Sequence, residues 1–147
     1  MKKYAALFLA ALAAFGLTAC VSNPANIENT AIEIDYGSSD LYSKADMDAA
    51  IALVIEEFSS WEGCELHSIR YSSDECNNSE NLEWINMIAQ ANGKNITFTQ
   101  CMKLVSDFHS PLTNSGAWEE DCEYTDWGWW FARAEGGEWD LLTWGYD

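Results

Sequence analysis

Cations, prolines and histidines are scarce in this chain. Of its 147 residues seven are Lys or Arg against 24 Asp or Glu, for a formal net charge of −17, and only two are His and two Pro. A surface so poor in cations repels phosphate backbones and has no counterion release to gain from them, which excludes nucleic acid as a partner. The Gly-x-Ser-x-Gly elbow and the His-Glu-x-x-His helix of common hydrolases are absent. So is any Cys-x-x-Cys pair that would hold zinc, and no metal or cofactor is expected. Long apolar runs are confined to the start of the chain. With 48% apolar residues in this length, the composition suits one packed domain and not a multi-span membrane protein.

The start of the chain reads as an export signal. Met1-Lys2-Lys3 is positive, Tyr4 to Ala19 is almost wholly apolar, and the stretch closes on Leu17-Thr18-Ala19-Cys20. The run is short for a bilayer span, and small residues stand where a signal peptidase must fit the chain. Leu-Thr-Ala-Cys resembles the bacterial lipobox, in which the Cys becomes the lipidated first residue. Residues 1–19 are thus expected to be removed and Cys20 to carry a membrane anchor outside the cytoplasm. Loss of Lys2 and Lys3 leaves five cationic against 24 acidic side chains, a net charge of −19. Lipid chains then bind the membrane while the acidic body stands off anionic headgroups. Residues 20–30, polar and containing Pro24, suit a flexible tether, and residues 31–147 form the domain.

Within that domain, alternation at Ile32, Ile34 and Tyr36 predicts a short strand. Ser43 with Asp46 has the form of a capping box, and Met47, Ile51, Val54, Ile55 and Phe58 recur behind it at helical spacing, which predicts a helix over 44–59. Leu66–Tyr71 reads as a strand before a turn-rich segment. A second helix, capped by Ser79 or Asn81, carries its stripe on Leu82, Ile85 and Ile88/Ala89 and stops at Asn92-Gly93. Residues 95–108 alternate as a long half-buried strand, and 110–121 reads as a loop.

Gly136-Gly137 between two aromatic-rich runs predicts a β-hairpin. Counting from it sets Trp129 opposite Trp144 and Phe131 opposite Leu142, with Trp127 and Tyr146 on the same face. The other face alternates small residues with Trp130, Trp139 and Leu141, a surface suited to a close-packed helix.

Tyr124-Thr125-Asp126-Trp127, Gly136-Gly137-Glu138-Trp139 and Trp144-Gly145-Tyr146 resemble the close of a family of small secreted lipoproteins of gut bacteria, a domain family of unknown function. Tyr42-Ser43, Gly63-Cys64 and Val105-Ser106-Asp107-Phe108 are similar to the same pattern, and the resemblance covers residues 36 to 147. It implies an α+β fold similar to the cystatin-like cone of the nuclear-transport-factor-two superfamily: a curved antiparallel sheet with helices packed on one side. No catalytic residues travel with it. The order of elements read from the residues also gives α+β with an antiparallel sheet.

Cys64, Cys76, Cys101 and Cys122 remain after lipidation, an even number that in an exported protein permits disulfides in three connectivities. Free buried thiols are the other reading, and no pairing follows from the sequence. His67, Asp107 and His109 share strand parities that would let them meet in one cavity for acid–base work of a lyase or isomerase type. The plainer reading makes them structural. Trp118, Trp127, Trp129, Trp144 and Tyr146 form an aromatic ladder that would hold a small ligand or glycan, while Trp61, Trp84, Trp130 and Trp139 read as core. Acidic runs at Asp74-Glu75 and Glu119–Glu123 fit no Ca²⁺ loop and read as solvated surface. The resulting expectation is a lipid-anchored binding module whose ligand site is the ladder and whose partner is a small ligand, a glycan or an envelope protein. The alternatives are a pocket enzyme and a structural envelope protein without a ligand.

Overall fold

A computed structural model describes residues 31–113 and 116–146. The expected export signal, Cys20 and the expected tether lie outside the described residues. The elements are β1 (Glu33–Asp35), α1 (Lys44–Phe58), β2 (Glu65–Tyr71), a 3₁₀ turn (Asp74–Cys76), α2 (Ser79–Ala91), β3 (Gln100–His109), β4 (Glu123–Arg133) and β5 (Asp140–Gly145). The fold is α+β, an open five-stranded sheet in the order β1-β2-β3-β4-β5. No helix among the described residues is long and apolar enough to cross a membrane.

Two features of the expected sheet are corrected. It is mixed, because β1 runs parallel to β2 while the other neighbours are antiparallel. The reason is the intervening α1, which returns the chain to its starting end as a crossover helix does. The helices also lie on opposite faces. Along β3 and β4 the residues alternate between two cores: Met102, Leu104, Phe108, Trp129 and Phe131 pack with the α1 residues Met47, Ala50, Ile51, Val54 and Phe58. Cys101, Trp130 and Ala132 pack with Ile85 and Ala89 of α2. A strand buried on both faces carries apolar residues at both parities, which is why Phe131-Ala132 and Cys101-Met102 are continuous apolar pairs.

The first helix forms where the capping box predicts. Ser43 Oγ accepts from the Asp46 amide and Asp46 accepts from the Ser43 amide. The N-cap of α2 lies one residue before the first of the expected caps. Asn78 is its N-cap, accepting from the Asn81 amide at 2.9 Å. β3 starts at Gln100 and not at 95, because Phe98 is held out of a ladder by Asn86, whose side chain accepts from its amide at 2.8 Å and donates to its carbonyl at 3.0 Å.

The terminal hairpin has the expected register at its far end, with Trp129 opposite Trp144 and Trp130 opposite Thr143. Nearer the turn it slips by one, so Phe131 faces Leu141 and Ala132 faces Asp140. The extra residue, Leu142, makes a β-bulge and reverses the parity of everything before it. Leu141 and Trp139 therefore join the core under α1, and Leu142 packs toward α2. Trp139, expected beside Trp130, lies instead against Tyr42, ring centroids 5.4 Å apart, and beneath the Arg133 guanidinium at 4.3 Å.

Candidate functional site

The aromatic ladder is mostly interior. Trp129 is wholly buried, its ring stacked on Trp61 at 5.2 Å with 21° between planes, and its Nε1 donates to the buried Ser106 hydroxyl at 2.8 Å. Trp61 follows α1 and sits at the centre of the cluster, against Phe58, Phe108, Trp118 and Trp127 as well. Trp118, from the loop after β3, packs into the same core and not above an open platform, and Trp127 is half-buried with its Nε1 buried and without a hydrogen-bond partner. The ladder is most exposed at its end, at Trp144 (40% exposed) and Tyr146 (60%). Trp144 borders a shallow cleft of about 320 Å³ with Glu56, Glu57 and Leu53 of α1.

His67, Asp107 and His109 do share one face of the sheet, the face that α2 leaves uncovered at that end. They do not form one acid–base group. Asp107 accepts from the Ser68 hydroxyl at 3.0 Å, from Arg70 at 3.4 Å and from the Asp126 amide at 2.8 Å. The two imidazoles stack 6.5 Å apart and border a cleft of about 550 Å³, but each faces its own carboxylate, Glu123 at 3.0 Å and Asp121 at 3.5 Å, and Asp107 is not in its lining.

The role of Asp107 is visible in the register. β2 carries an extra residue at His67, and β4 carries one between Tyr124 and Trp127, so bulges flank Asp107 on both neighbouring strands. Asp126 takes φ 58°, a left-handed backbone that costs a non-glycine residue energy, and its side chain is paired with Arg70. Asp107 satisfies the bulge amide and the Arg70 charge together. Asp107→Ala is expected to destabilise the fold by about 1–2 kcal/mol, since these groups are partly solvated. Asp107→Asn, which keeps the acceptor for the Asp126 amide, should lose less. Urea denaturation measures both.

A second aromatic site emerges where core was expected. Trp84 projects from α2 and is 40% exposed, and its ring stands edge-on to Trp130 with centroids 5.2 Å apart. Together they floor a cleft of about 530 Å³ bordered by Ser72, Ser73, Glu75, Asn81 and Lys103. Lys103 Nζ lies 5.3 Å from the Trp130 ring. Gly128 makes room for it: a Cβ there would stand 3.1 Å from Lys103 Cε and 3.0 Å from the Gly145 carbonyl. The cleft thus offers an indole face, one cation, one carboxylate and hydroxyl groups within a single ring's reach. Its signal in the sequence was helical phase. Trp84 falls off the stripe of Leu82, Ile85 and Ala89, so it sits on the flank of α2 and not beneath it.

Four cysteines of the domain are free thiols in this structure, with Cys64, Cys76 and Cys101 buried and Cys122 at the surface. Burial pushes the Cys64 thiol up to about 11 and the Cys101 thiol up to about 12, so neither is a thiolate nucleophile at neutral pH. Among the described residues no group of three or more His, Cys, Asp or Glu is placed to hold a metal ion. No family model, curated protein or solved structure matches the chain.

Proposed function

We propose that the protein is a lipid-anchored, extracytoplasmic, non-catalytic binding module that holds a neutral glycan in the Trp84 cleft. The anchor is the lipid on Cys20, and the acidic domain stands off the membrane on the tether. Within this reading the sheet curves around α1 as in a cystatin-like cone, as the likeness to small secreted lipoproteins implies, with α2 added on the outer side.

The carrying observation is an exposed tryptophan set beside hydrogen-bonding groups of both signs. Trp84 gives a flat apolar face on which the C–H side of a pyranose stacks, and Ser73, Glu75, Asn81 and Lys103 supply donors and acceptors at its edge. Charge selects the class of sugar. A body of net charge −19 once residues 1–19 are removed repels acidic glycans, and the single Lys103 does not offset that field. The ladder supports the reading less well, because Trp129 is wholly buried and its exposed end at Trp144 is bordered by Glu56 and Glu57 without a cation.

The test titrates the protein with maltotetraose, cellotetraose and chitotetraose, following tryptophan fluorescence and melting temperature. At least one should bind saturably, and Trp84→Ala should weaken it tenfold or more, equivalent to about 1.4 kcal/mol or above, with unfolding unchanged. Equal binding by Trp84→Ala and loss in Trp144→Ala would move the site to the end of the ladder. No saturable binding by any of the three would sink the glycan reading.

A further inference from the structure

Among the domain's cysteines, two are in reciprocal contact. Cys76, in the 3₁₀ turn after β2, and Cys101, at the start of β3, each direct the sulfur at the other's main chain. Cys101 Sγ lies 3.1 Å from the Cys76 carbonyl oxygen, and Cys76 Sγ lies 3.8 Å from the Cys101 carbonyl oxygen. The backbones are held face to face from both sides. The Cys101 amide donates to Asn77 Oδ1 at 2.9 Å, and Asn81 Nδ2 donates to the Cys76 carbonyl at 2.9 Å. Both residues are buried, at 7% and 0% exposure, in the core beneath α2. The other two cysteines have no such neighbour: Cys64 lies in the core under α1, and Cys122 lies at the surface with Glu119 at 3.6 Å.

We propose that Cys76 and Cys101 are the disulfide pair of this domain, bridging the turn before α2 to the central strand, while Cys64 and Cys122 remain thiols. The inference is independent of the glycan reading and rests on export only for the source of oxidant. Outside the cytoplasm that oxidant is the disulfide of a thiol oxidoreductase: its bond breaks, the Cys76–Cys101 bond forms, and the two thiol protons and two electrons pass to the oxidoreductase, which leaves as a dithiol. Contact in the folded state selects this pair over the others, since the remaining partners lie on other faces or at the surface. The bridge closes a loop that contains the whole of α2. It would therefore restrict the unfolded chain and fasten the helix that carries Trp84.

The seven basic residues make the test clean, because the four cysteines fall on separate tryptic peptides: Cys64 on 45–70, Cys76 on 71–94, Cys101 on 95–103 and Cys122 on 104–133. The protein is unfolded in denaturant and refolded with a reduced and oxidised glutathione couple, then alkylated and digested without reductant. Peptides 71–94 and 95–103 should be recovered joined, and 45–70 and 104–133 should be recovered alkylated. Adding reductant should lower the melting temperature by roughly ten degrees. Cys76→Ser and Cys101→Ser should each melt as the reduced parent does and should be insensitive to reductant. In Cys64→Ser with Cys122→Ser the parent's response should persist, which keeps the test valid if either single variant at the pair folds poorly. Recovery of 71–94 and 95–103 as separate alkylated peptides, or joined to either of the other two, overturns the proposal.

Discussion

Trp129→Ala is expected to cost about 3–5 kcal/mol of stability, the range for deleting a large aromatic side chain from a packed core. The indole is wholly buried, stacked on Trp61 and 6.0 Å from Trp144, and its Nε1 holds the fully buried Ser106 hydroxyl. Truncation opens a cavity at the joint between α1, β3 and β4 and leaves that hydroxyl unpaired. Trp129→Phe separates the two contributions, since it keeps most of the ring but still orphans Ser106, at about 1–3 kcal/mol. Equilibrium urea denaturation of the parent and both variants gives the comparison. A loss below about 1 kcal/mol for the alanine variant would mean that the aromatic cluster is not the core of the domain. Any loss of ligand binding in Trp129→Ala then reports a loss of fold, and Trp84→Ala is the variant that tests the proposed site.

Asp46→Ala should be the next most damaging change. Its carboxylate closes the capping box of α1 by accepting from the Ser43 amide at 2.9 Å and also receives Nη1 of Arg133 at the end of β4. Arg133 in turn donates Nε to Gln100 at 2.7 Å and covers the Trp139 ring. Loss of the cap costs about 1 kcal/mol, and stranding a guanidinium that is 17% exposed adds about 1–3 kcal/mol. The same carboxylate sets an acid limit. Burial pushes its pKa up, but the Ser43 hydroxyl and amide and the Arg133 guanidinium outweigh that and hold it below the ordinary value. Asp74 is lowered in the same direction, by the hydroxyls of Ser39 and Tyr71 and by backbone amides of the segment before α1. A carboxyl with a depressed folded-state pKa contributes stability that is complete above its unfolded value and is lost as pH falls through the folded one. Stability should hold to about pH 5 and decline from about pH 4 downward. In Asp46→Ala that acid limb should be shallower, measured as urea midpoints between pH 7 and pH 3. An equally steep limb in the variant would remove Asp46 from the account.

The elements of this domain follow largely from local chemistry. The Ser43/Asp46 box, the 3.6-residue recurrence from Met47 to Phe58 and the Gly136 turn, where φ is 69°, are instructions carried within a few residues of where they act. The pairing of Trp129 with Trp144 matches the count from Gly136-Gly137 only because the bulge at Leu142 offsets a one-residue shift of the register beside the turn. What could not be counted was the bulge at Leu142, because one extra residue in a strand is decided by which side chains fit beneath α1 and not by neighbours in the chain. That single slip placed Trp139 and Leu141 in the opposite core. Likewise β1 shows short-range alternation, but its parallel pairing with β2 depends on where α1 returns the chain.

The sequence by itself determined the acidic character, the α+β order and the positions of both helices, all of which depend on composition or short-range periodicity. Only the tertiary structure decided which aromatics are core and which are surface. The ladder and the proposed Trp84 site draw on the same residue type, and burial depends on what the opposite layer supplies: Trp61 stacks on Trp129 and is itself packed by Trp118, whereas nothing in α2 covers the outer flank of Trp84. It also decided that Asp107 supports two bulges and that Cys76 meets Cys101. Each of these joins residues on different strands or turns, and such contacts exist only once the sheet is assembled.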